Sequence, residues 1–316
     1  MILINSFRIV FASFIVISLS SCLADIDKGL MKMTNKISVI DPVTGKREIS
    51  FESKLAEIKR ANAQSAKILS DFEKKGVKID AQNSQFFRVT RVFNKLKKVI
   101  HQADLPWEIH LIENKSWNAF TIGGGKIFVY TGLFEGKVAV RSDDELAAII
   151  AHEIAHINAR HASEKRGKLL ISSLVDKRTK GNIYAASFTT VQENEADKYS
   201  VIYSALAGYN PSAGVYIWQR MDKYFGSKAK NSLYDHPLNE DRARKLTSYS
   251  NLAKRYYKAG RINQDYKNIL QKNAVFTYNR IHTKRGGEGG GALSILEIFG
   301  NTYLESQKVK REKDSR

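Results

Sequence analysis

The chain has 316 residues, 43% hydrophobic and 26% charged, a balance typical of a folded protein rather than a disordered one. That length suffices for one large hydrophobic core, and we expect a single compact body. The formal net charge of +19 favours anionic surfaces. Lysine and arginine are nevertheless spread along the whole chain without a helix-turn-helix, zinc-finger or RNP-like pattern, so we expect no nucleic-acid partner.

The N-terminal segment resembles an export signal. Residues 9–18 are an apolar run, too short for the roughly 20 residues that span a bilayer. The tetrapeptide at 19–22, Leu-Ser-Ser-Cys, resembles a bacterial lipobox, and Cys22 is the only cysteine, without a disulfide partner. We therefore predict a lipoprotein signal peptide over 1–21 and a lipid anchor at Cys22. Leu23, directly after Cys22, resembles the outer-membrane sorting signal of Gram-negative lipoproteins. We therefore expect a location at the outer membrane, facing the periplasm. Ordinary signal cleavage after Ala24 is the alternative.

Two helices and three short strands are predicted next. Apolar residues recur at helical spacing from about 52 to 72 and from about 81 to 101. Strand patterns follow at three places, 107–113, 117–122 and 127–130. The glycine run before Lys126 lacks the spacing, and the Ser or Thr after the lysine, of a phosphate-binding loop. A hairpin turn is therefore the better interpretation.

Helices dominate from Ser142 onward. Ser142 and Glu145 have the spacing of a capping box, so a helix should begin at Asp143. Residues 146–151 are apolar all round, which marks a buried helix. Further helical patterns run over about 188–206, 211–224 and 240–259.

The C-terminal 42 residues, 275–316, differ from the rest in being glycine-rich and basic. We expect a disordered tail there, with the alternative that residues 293–299 lie on an anionic membrane surface. The folded domain is accordingly predicted over 22–274.

The predicted buried helix carries an H-E-x-x-H pattern at 152–156. His152 and His156 are four residues apart, so their imidazoles point the same way and can share one ion. Glu153 lies about 100° further round and is the predicted general base for an attacking water. Two histidines and a glutamate would be costly to bury without a partner, at about 1–3 kcal/mol for each unpaired polar group. A metal ion supplies that partner, whereas purely structural histidines are the plainer alternative.

A third metal ligand has to come from elsewhere, because catalytic zinc usually takes three protein ligands and leaves one position for water. Glu193 and Asp197, four residues apart on a predicted helix, are the strongest acidic pair downstream. One can bind the metal while the other accepts a hydrogen bond from a ligand histidine. Glu195 points away from both and is expected to be solvated. The ligand types favour one Zn²⁺ per subunit.

The pair formed by 152–156 and 193–197 resembles the HExxH and ExEAD motifs of HtpX-like and Oma-type zinc metallopeptidases, which are gluzincins. Among these it most resembles LoiP-like bacterial lipoprotein endopeptidases. The resemblance implies an α+β fold, mainly a helical zincin-type domain with a small β-sheet beside the HExxH helix. It also implies that Glu193 is the third zinc ligand and that Asp197 orients a ligand histidine. Other matching pieces extend the resemblance to about 41–252, namely 41–45, 118–120, 127–133, 159–161 and His236 with Arg242.

A peptidase also needs a donor for the tetrahedral oxyanion. The candidates are His236 and Arg242, with Tyr234 third. His236 has a second possible role as a fourth metal ligand that holds the enzyme latent. The plainest interpretation of His236 is a loop histidine without a role.

Substrates are expected to pair as extended peptides with an exposed strand edge, near Asn118, Ala119 and Phe120 or near 127–130. Such pairing suits unfolded, damaged or misassembled envelope proteins, and thus quality control. The alternative function is a non-proteolytic, metal-stabilised binding or assembly factor for outer-membrane proteins, which has no need of Glu153. The remaining histidines are expected to be structural or solvated: His101, His110, His161 and His282.

Overall fold

The computed structural model describes residues 38–40, 47–49, 52–167, 188–225, 236 and 240–272. The predicted signal peptide, the proposed anchor at Cys22 and the tail at 275–316 lie outside the described residues, as do Tyr234 and His282. A bilayer-spanning helix, with the length and apolar character it would need, is absent from the described ranges.

The described elements are mainly helices with two small sheets. Two short strands, β1 (Ser38–Ile40) and β2 (Arg47–Ile49), pair antiparallel. The second sheet contains β3 (Glu108–Ile112), β4 (Ala119–Gly123) and β5 (Lys126–Tyr130). The helices are α1 (Lys54–Glu73), α2 (Ser84–Leu96), α3 (Asp143–Asn158), α4 (Thr190–Leu206), α5 (Ala213–Phe225) and α6 (Glu240–Ala253). The predicted α+β class is confirmed.

Strand order in the larger sheet is β3-β5-β4, with β3 parallel and β4 antiparallel to β5. Because β5 pairs on both sides, residues 127–130 cannot offer a docking edge, and that part of the expectation is wrong. Among the described strands β4 lies at the edge of this sheet, and the backbone N–H of Tyr130 donates to the carbonyl of Asn118. Alternation along the strand then directs the backbone groups of Ala119 away from β5.

The hairpin between β4 and β5 turns through Gly123, Gly124 and Gly125, whose φ values are +84°, +58° and +88°. Such φ angles suit glycine, which has no Cβ to clash with the backbone. Steric crowding also requires glycine at position 124, since a Cβ there would lie 2.5 Å from the Cβ of Ala61 on α1. The hairpin turn predicted from the glycine run is thus confirmed, and it docks against α1.

Periodic burial explains the helices around the site. In α2 the buried residues Val89, Val92, Phe93 and Leu96 follow the spacing of one helical face. Helix α3 begins with Ser142, whose hydroxyl accepts from the N–H of Glu145, as predicted. The reciprocal bond differs, because Glu145 accepts from the N–H of Arg141. Residues 146–151 of α3 are largely buried, and α3 packs most extensively on α4.

Candidate metal centre

Helices α3 and α4 bring the two sequence motifs together. The side chains of His156 and Glu193 are fully buried, and that of His152 is 12% exposed. Nε2 of His152 lies 3.3 Å from Oε2 of Glu193, and Nε2 of His156 lies 3.5 Å from Oε1. The three residues chosen from the sequence therefore converge on one point.

His236 joins this group from outside the helix pair. Its Nδ1 lies 2.9 Å from Oε1 of Glu193 and 3.3 Å from Nε2 of His152. One ligand atom from each of His152, His156, Glu193 and His236 lies within 4.8 Å of the others. Nε2 of His236 faces Oε1 of Glu153 at 3.3 Å, so the imidazole stands between the ligand group and the predicted base.

The donor set fits a cation. Nδ1 of His152 lies 3.1 Å from Oδ1 of Asp197, and because a carboxylate only accepts, that nitrogen carries the hydrogen. The lone pair of the neutral ring is then at Nε2, which lies 3.0 Å from Nε2 of His156. When the hydrogen of the His156 ring is on Nδ1, two lone pairs face each other at this distance and repel unless a proton or a metal ion lies among them. Two imidazoles and a carboxylate are the ligand set that catalytic zinc takes.

Charge at the centre is tightly compensated. Burial disfavours protonation of His152, but Asp197 and Glu193 outweigh it and raise the pKa of that imidazole. Burial lowers the pKa of His156 well below its ordinary value. Burial also disfavours ionised Glu193, yet His236 and Arg242 hold the pKa of its carboxyl well below the usual range. The low carboxyl pKa keeps Glu193 ionised, as a metal ligand must be.

Arg242 is the buried cation of the site. Its Nε donates to Oδ2 of Asp197 at 2.6 Å and its Nη2 to Oδ1 at 2.9 Å. Nη1 lies 2.7 Å from Oε2 of Glu193. Two carboxylates raise the pKa of this guanidinium although burial opposes them. The structure thus directs Arg242, an oxyanion candidate in the sequence, at the third ligand and at Asp197.

An apolar cavity of about 70 Å³ opens beside the ligand group. His152, Glu153 and Ala119 are among its lining residues, and helices α3 to α6 contribute most of the others. The wall residues are mostly apolar or small, and include Ala148, Ile149, Val201, Gly214, Ile217, Trp218 and Leu246. The cavity therefore lies next to both the predicted base and the β4 edge.

Three contacts of His156 and its neighbours were missed from the sequence. The ring of Phe188 stacks on that of His156, with centroids 4.0 Å apart. Nδ1 of His161 lies 2.8 Å from Nδ1 of His156, and Nε2 of His161 lies 3.4 Å from Oε2 of Glu195. The expectation that Glu195 is solvated is wrong, because its side chain is only 15% exposed. The sequence signal for these contacts is His161, a third histidine five residues after the end of the H-E-x-x-H motif.

The fold is consistent with the α+β zincin type, and the group of His152, His156 and Glu193 fits a zinc site such as metallopeptidases contain. Residues 83–178 match the model of peptidase family M48. This segment therefore resembles a peptidase M48 domain, which is consistent with an Oma- or HtpX-type zinc metallopeptidase.

Curated relatives support the same class. The chain is 30% identical over 177 residues to a protein of Schizosaccharomyces pombe named mitochondrial metalloendopeptidase OMA1, covering 51% of this chain and 52% of that one. It is 29% identical over 163 residues to a putative beta-barrel assembly-enhancing protease of Vibrio cholerae, covering 43% and 33%. It is 25% identical over 251 residues to the beta-barrel assembly-enhancing protease of Escherichia coli, covering 65% and 49%. The chain thus spans about half or less of the length of these relatives.

Proposed function

We propose that this chain is a zinc-dependent endopeptidase that cleaves unfolded or misassembled proteins at the bacterial cell envelope. One observation carries the proposal. Ligand atoms of His152, His156, Glu193 and His236 lie within 4.8 Å of one another, beside Glu153. The names of the relatives, metalloendopeptidase and beta-barrel assembly-enhancing protease, support the reaction and a role in protein quality control.

Glu153 carries the proton chemistry in this proposal. Zinc, when bound, supplies a Lewis acid that lowers the pKa of water and polarises a peptide carbonyl. The carboxylate of Glu153 takes the proton from the attacking water and returns it to the leaving amine. A non-proteolytic assembly factor is disfavoured, since a purely structural zinc site has no use for a base at this position.

Strand β4 is the proposed substrate edge. The outward backbone groups of Ala119, with Asn118 and Phe120 on either side, can pair with an extended peptide. Past that point the edge is occupied, because Nη1 of Arg60 donates to the carbonyl of Ile122 at 3.3 Å. An extended substrate is available only where a protein is unfolded or loosely folded, which supports the proposed substrate class.

The apolar cavity suggests a cleavage preference. It adjoins Ala119 and Glu153, so a peptide paired with β4 can direct one side chain into it. Walls of Ile149, Ile217 and Trp218 favour an apolar side chain there through burial of apolar surface.

His236 is proposed as a fourth ligand that keeps the resting site closed. Its Nδ1 lies 2.9 Å from Oε1 of Glu193 and 3.3 Å from Nε2 of His152, close enough for the three atoms to bind the same ion. The alternative role for His236 is that of the oxyanion donor, for which its imidazole would have to withdraw from the ligand group. Arg242 is proposed as a positioning residue, since its donors are directed at Asp197 and Glu193.

The proposed envelope location rests on the apolar run at 9–18 and on the lipobox-like residues ending at Cys22. A diacylglycerol anchor at Cys22 would place the peptidase domain at the outer membrane, facing the periplasm. Incorporation of a labelled fatty acid into the full chain, lost in Cys22→Ala, tests the anchor.

The deciding experiment compares the wild type with Glu153→Gln on an unfolded protein substrate. Glutamine preserves the shape of the side chain but cannot take up the proton. We expect unchanged zinc content and circular dichroism, with cleavage reduced by about 10³-fold or more. Cleavage that persists in Glu153→Gln would exclude Glu153 as the base. A wild-type protein that binds zinc but cleaves nothing would favour the assembly factor.

A further inference from the structure

The corner that follows α3 returns the chain toward the metal centre. Asn158 ends α3, and Arg160 takes φ +52°, a left-handed value for a residue other than glycine. A second helical stretch over 161–167 starts directly afterwards. In an uninterrupted helix the residue five places after His156 would point about 140° away from it. The corner instead brings His161 back against His156.

Ion pairing stabilises this corner. Nε of Arg160 donates to Oε2 of Glu57 at 2.9 Å, and Nη2 donates to the carbonyl of Glu52 at 2.8 Å. Glu57 lies in the first turn of α1, and Glu52 precedes the N-cap residue of that helix. Arg160 itself is buried. The left-handed residue is therefore fixed from outside the corner, and the position of His161 is fixed with it.

The hydrogens in this chain of contacts can be assigned from the acceptors. Oε2 of Glu195 can only accept, so Nε2 of His161, 3.4 Å away, carries a hydrogen. Neutral His161 then has its lone pair at Nδ1, which accepts the hydrogen of Nδ1 of His156 at 2.8 Å. The lone pair of His156 is consequently at Nε2, the nitrogen that faces Glu193 and His152.

We infer that His161 and Glu195 are positioning residues for the metal ligand His156, which they hold in one ring orientation and one tautomer. Asp197 does the same for His152 by direct contact, at 3.1 Å from its Nδ1. Each motif histidine thus has a separate carboxylate, and that of His156 acts through an intervening imidazole. Partners of this kind typically change metal affinity by 10- to 100-fold when removed. The inference rests on the proposed zinc site.

Zinc affinity of the full chain, measured by competition with a chromophoric chelator, tests this inference. We expect His161→Leu to weaken zinc binding by about 10- to 100-fold, because Nδ1 of His156 loses its acceptor. His161→Asn should recover most of the affinity, since its amide oxygen can take the place of Nδ1. Glu195→Leu should weaken binding by about tenfold and Glu195→Gln much less, because the amide oxygen still accepts.

A matched control lies in the same corner. Glu164 accepts from Nε2 of Gln192 at 2.6 Å and is not among the groups placed at the metal, so Glu164→Gln should bind zinc like the wild type. Circular dichroism of each variant without zinc reports whether it folds. Folded His161→Leu and Glu195→Leu proteins that bind zinc within twofold of the wild type would overturn the inference. A wild-type chain that binds no zinc would instead overturn the proposed function.

Discussion

Arg242 and Asp197 form a two-point hydrogen-bonded ion pair, at 2.6 and 2.9 Å, in which neither side chain is more than 3% exposed. The same guanidinium reaches Glu193 at 2.7 Å. Substituting Arg242 by leucine leaves two buried carboxylates without their cation. We expect zinc-free Arg242→Leu to lose about 3–5 kcal/mol in the free energy of unfolding, measured by urea titration. Arg244→Leu is the control, since Arg244 is 79% exposed and pairs with exposed Asp241. A loss as small as that of the control would show that Arg242 stabilises nothing here.

The hairpin at Gly124 offers a test of backbone and packing together. Gly124→Ala would place a Cβ 2.5 Å from that of Ala61 at φ +58°. Strain at positive φ and overpacking should together cost about 2–4 kcal/mol in the free energy of unfolding. Gly76 has φ +70° with nothing within 4 Å of an added Cβ, so Gly76→Ala should cost about 1 kcal/mol. Equal losses in the two variants would mean that the contact with Ala61 is not tight.

Acid should destabilise the fold through His101. Burial lowers the pKa of this imidazole to about 4, against about 6.5 in an unfolded chain. Because the pKa of His101 is lower in the folded than in the unfolded chain, its contribution to the free energy of unfolding is complete above pH 6.5. That contribution declines as the pH falls towards 4. The decline should amount to about 3 kcal/mol, at most. Urea unfolding between pH 7.5 and 4.5 measures it.

The matched variant for this measurement is His101→Gln. Tyr203 Oη lies 2.6 Å from Nδ1 of His101, and glutamine preserves an acceptor there. We expect the variant to lose less stability on acidification than the wild type does. Parallel pH curves for the two proteins would assign the acid sensitivity to other groups.

Removal of His236 should accelerate turnover. If the closed site holds about nine molecules in ten, His236→Ala should raise peptide turnover about tenfold. Initial rates on a short fluorogenic peptide measure this effect. A slower variant would instead assign His236 to the oxyanion, and an unchanged rate and pH profile would remove both roles.

Cleavage preference should follow the volume of the apolar cavity. A Cβ on Gly214 would make ordinary van der Waals contacts, 3.5 Å from Ala148 and 3.8 Å from Leu246, and Gly214 lines the cavity, so a side chain there would reduce its volume. Gly214→Val should lower kcat/KM for peptides with a large apolar side chain at that subsite by about 10- to 100-fold, and much less for alanine. A panel of peptides varied at one position tests this. An equal loss of kcat/KM for every peptide in the panel would mean that the subsite lies elsewhere.

Local spacing sufficed to find most of the site. His152 and His156 on one helix, and Glu193 and Asp197 on another, are each four residues apart, and that spacing alone places each pair on one face. The apolar periodicity that predicts α2 and the capping-box spacing that predicts the start of α3 are likewise local. These features depend on the geometry of a single helix, which the sequence encodes directly.

Contacts between elements could not be found in this way. The direction of Arg242 toward Asp197 depends on how α6 packs against α4, and the central place of β5 depends on pairing that strand alternation does not specify. The sequence predicts only a structural or solvated role for His161, because nothing in the neighbouring residues signals a left-handed residue at Arg160.

The left-handed corner at Arg160 also limits how related chains can vary in length. One residue inserted or deleted between Asn158 and His161 would turn the imidazole of His161 away from that of His156. The five-residue motif itself would remain unchanged. Insertions should therefore be rare at this corner. A ten-residue signature, H-E-x-x-H-x-x-x-x-H, would separate sequences that preserve it from those in which the shorter pattern arises by chance.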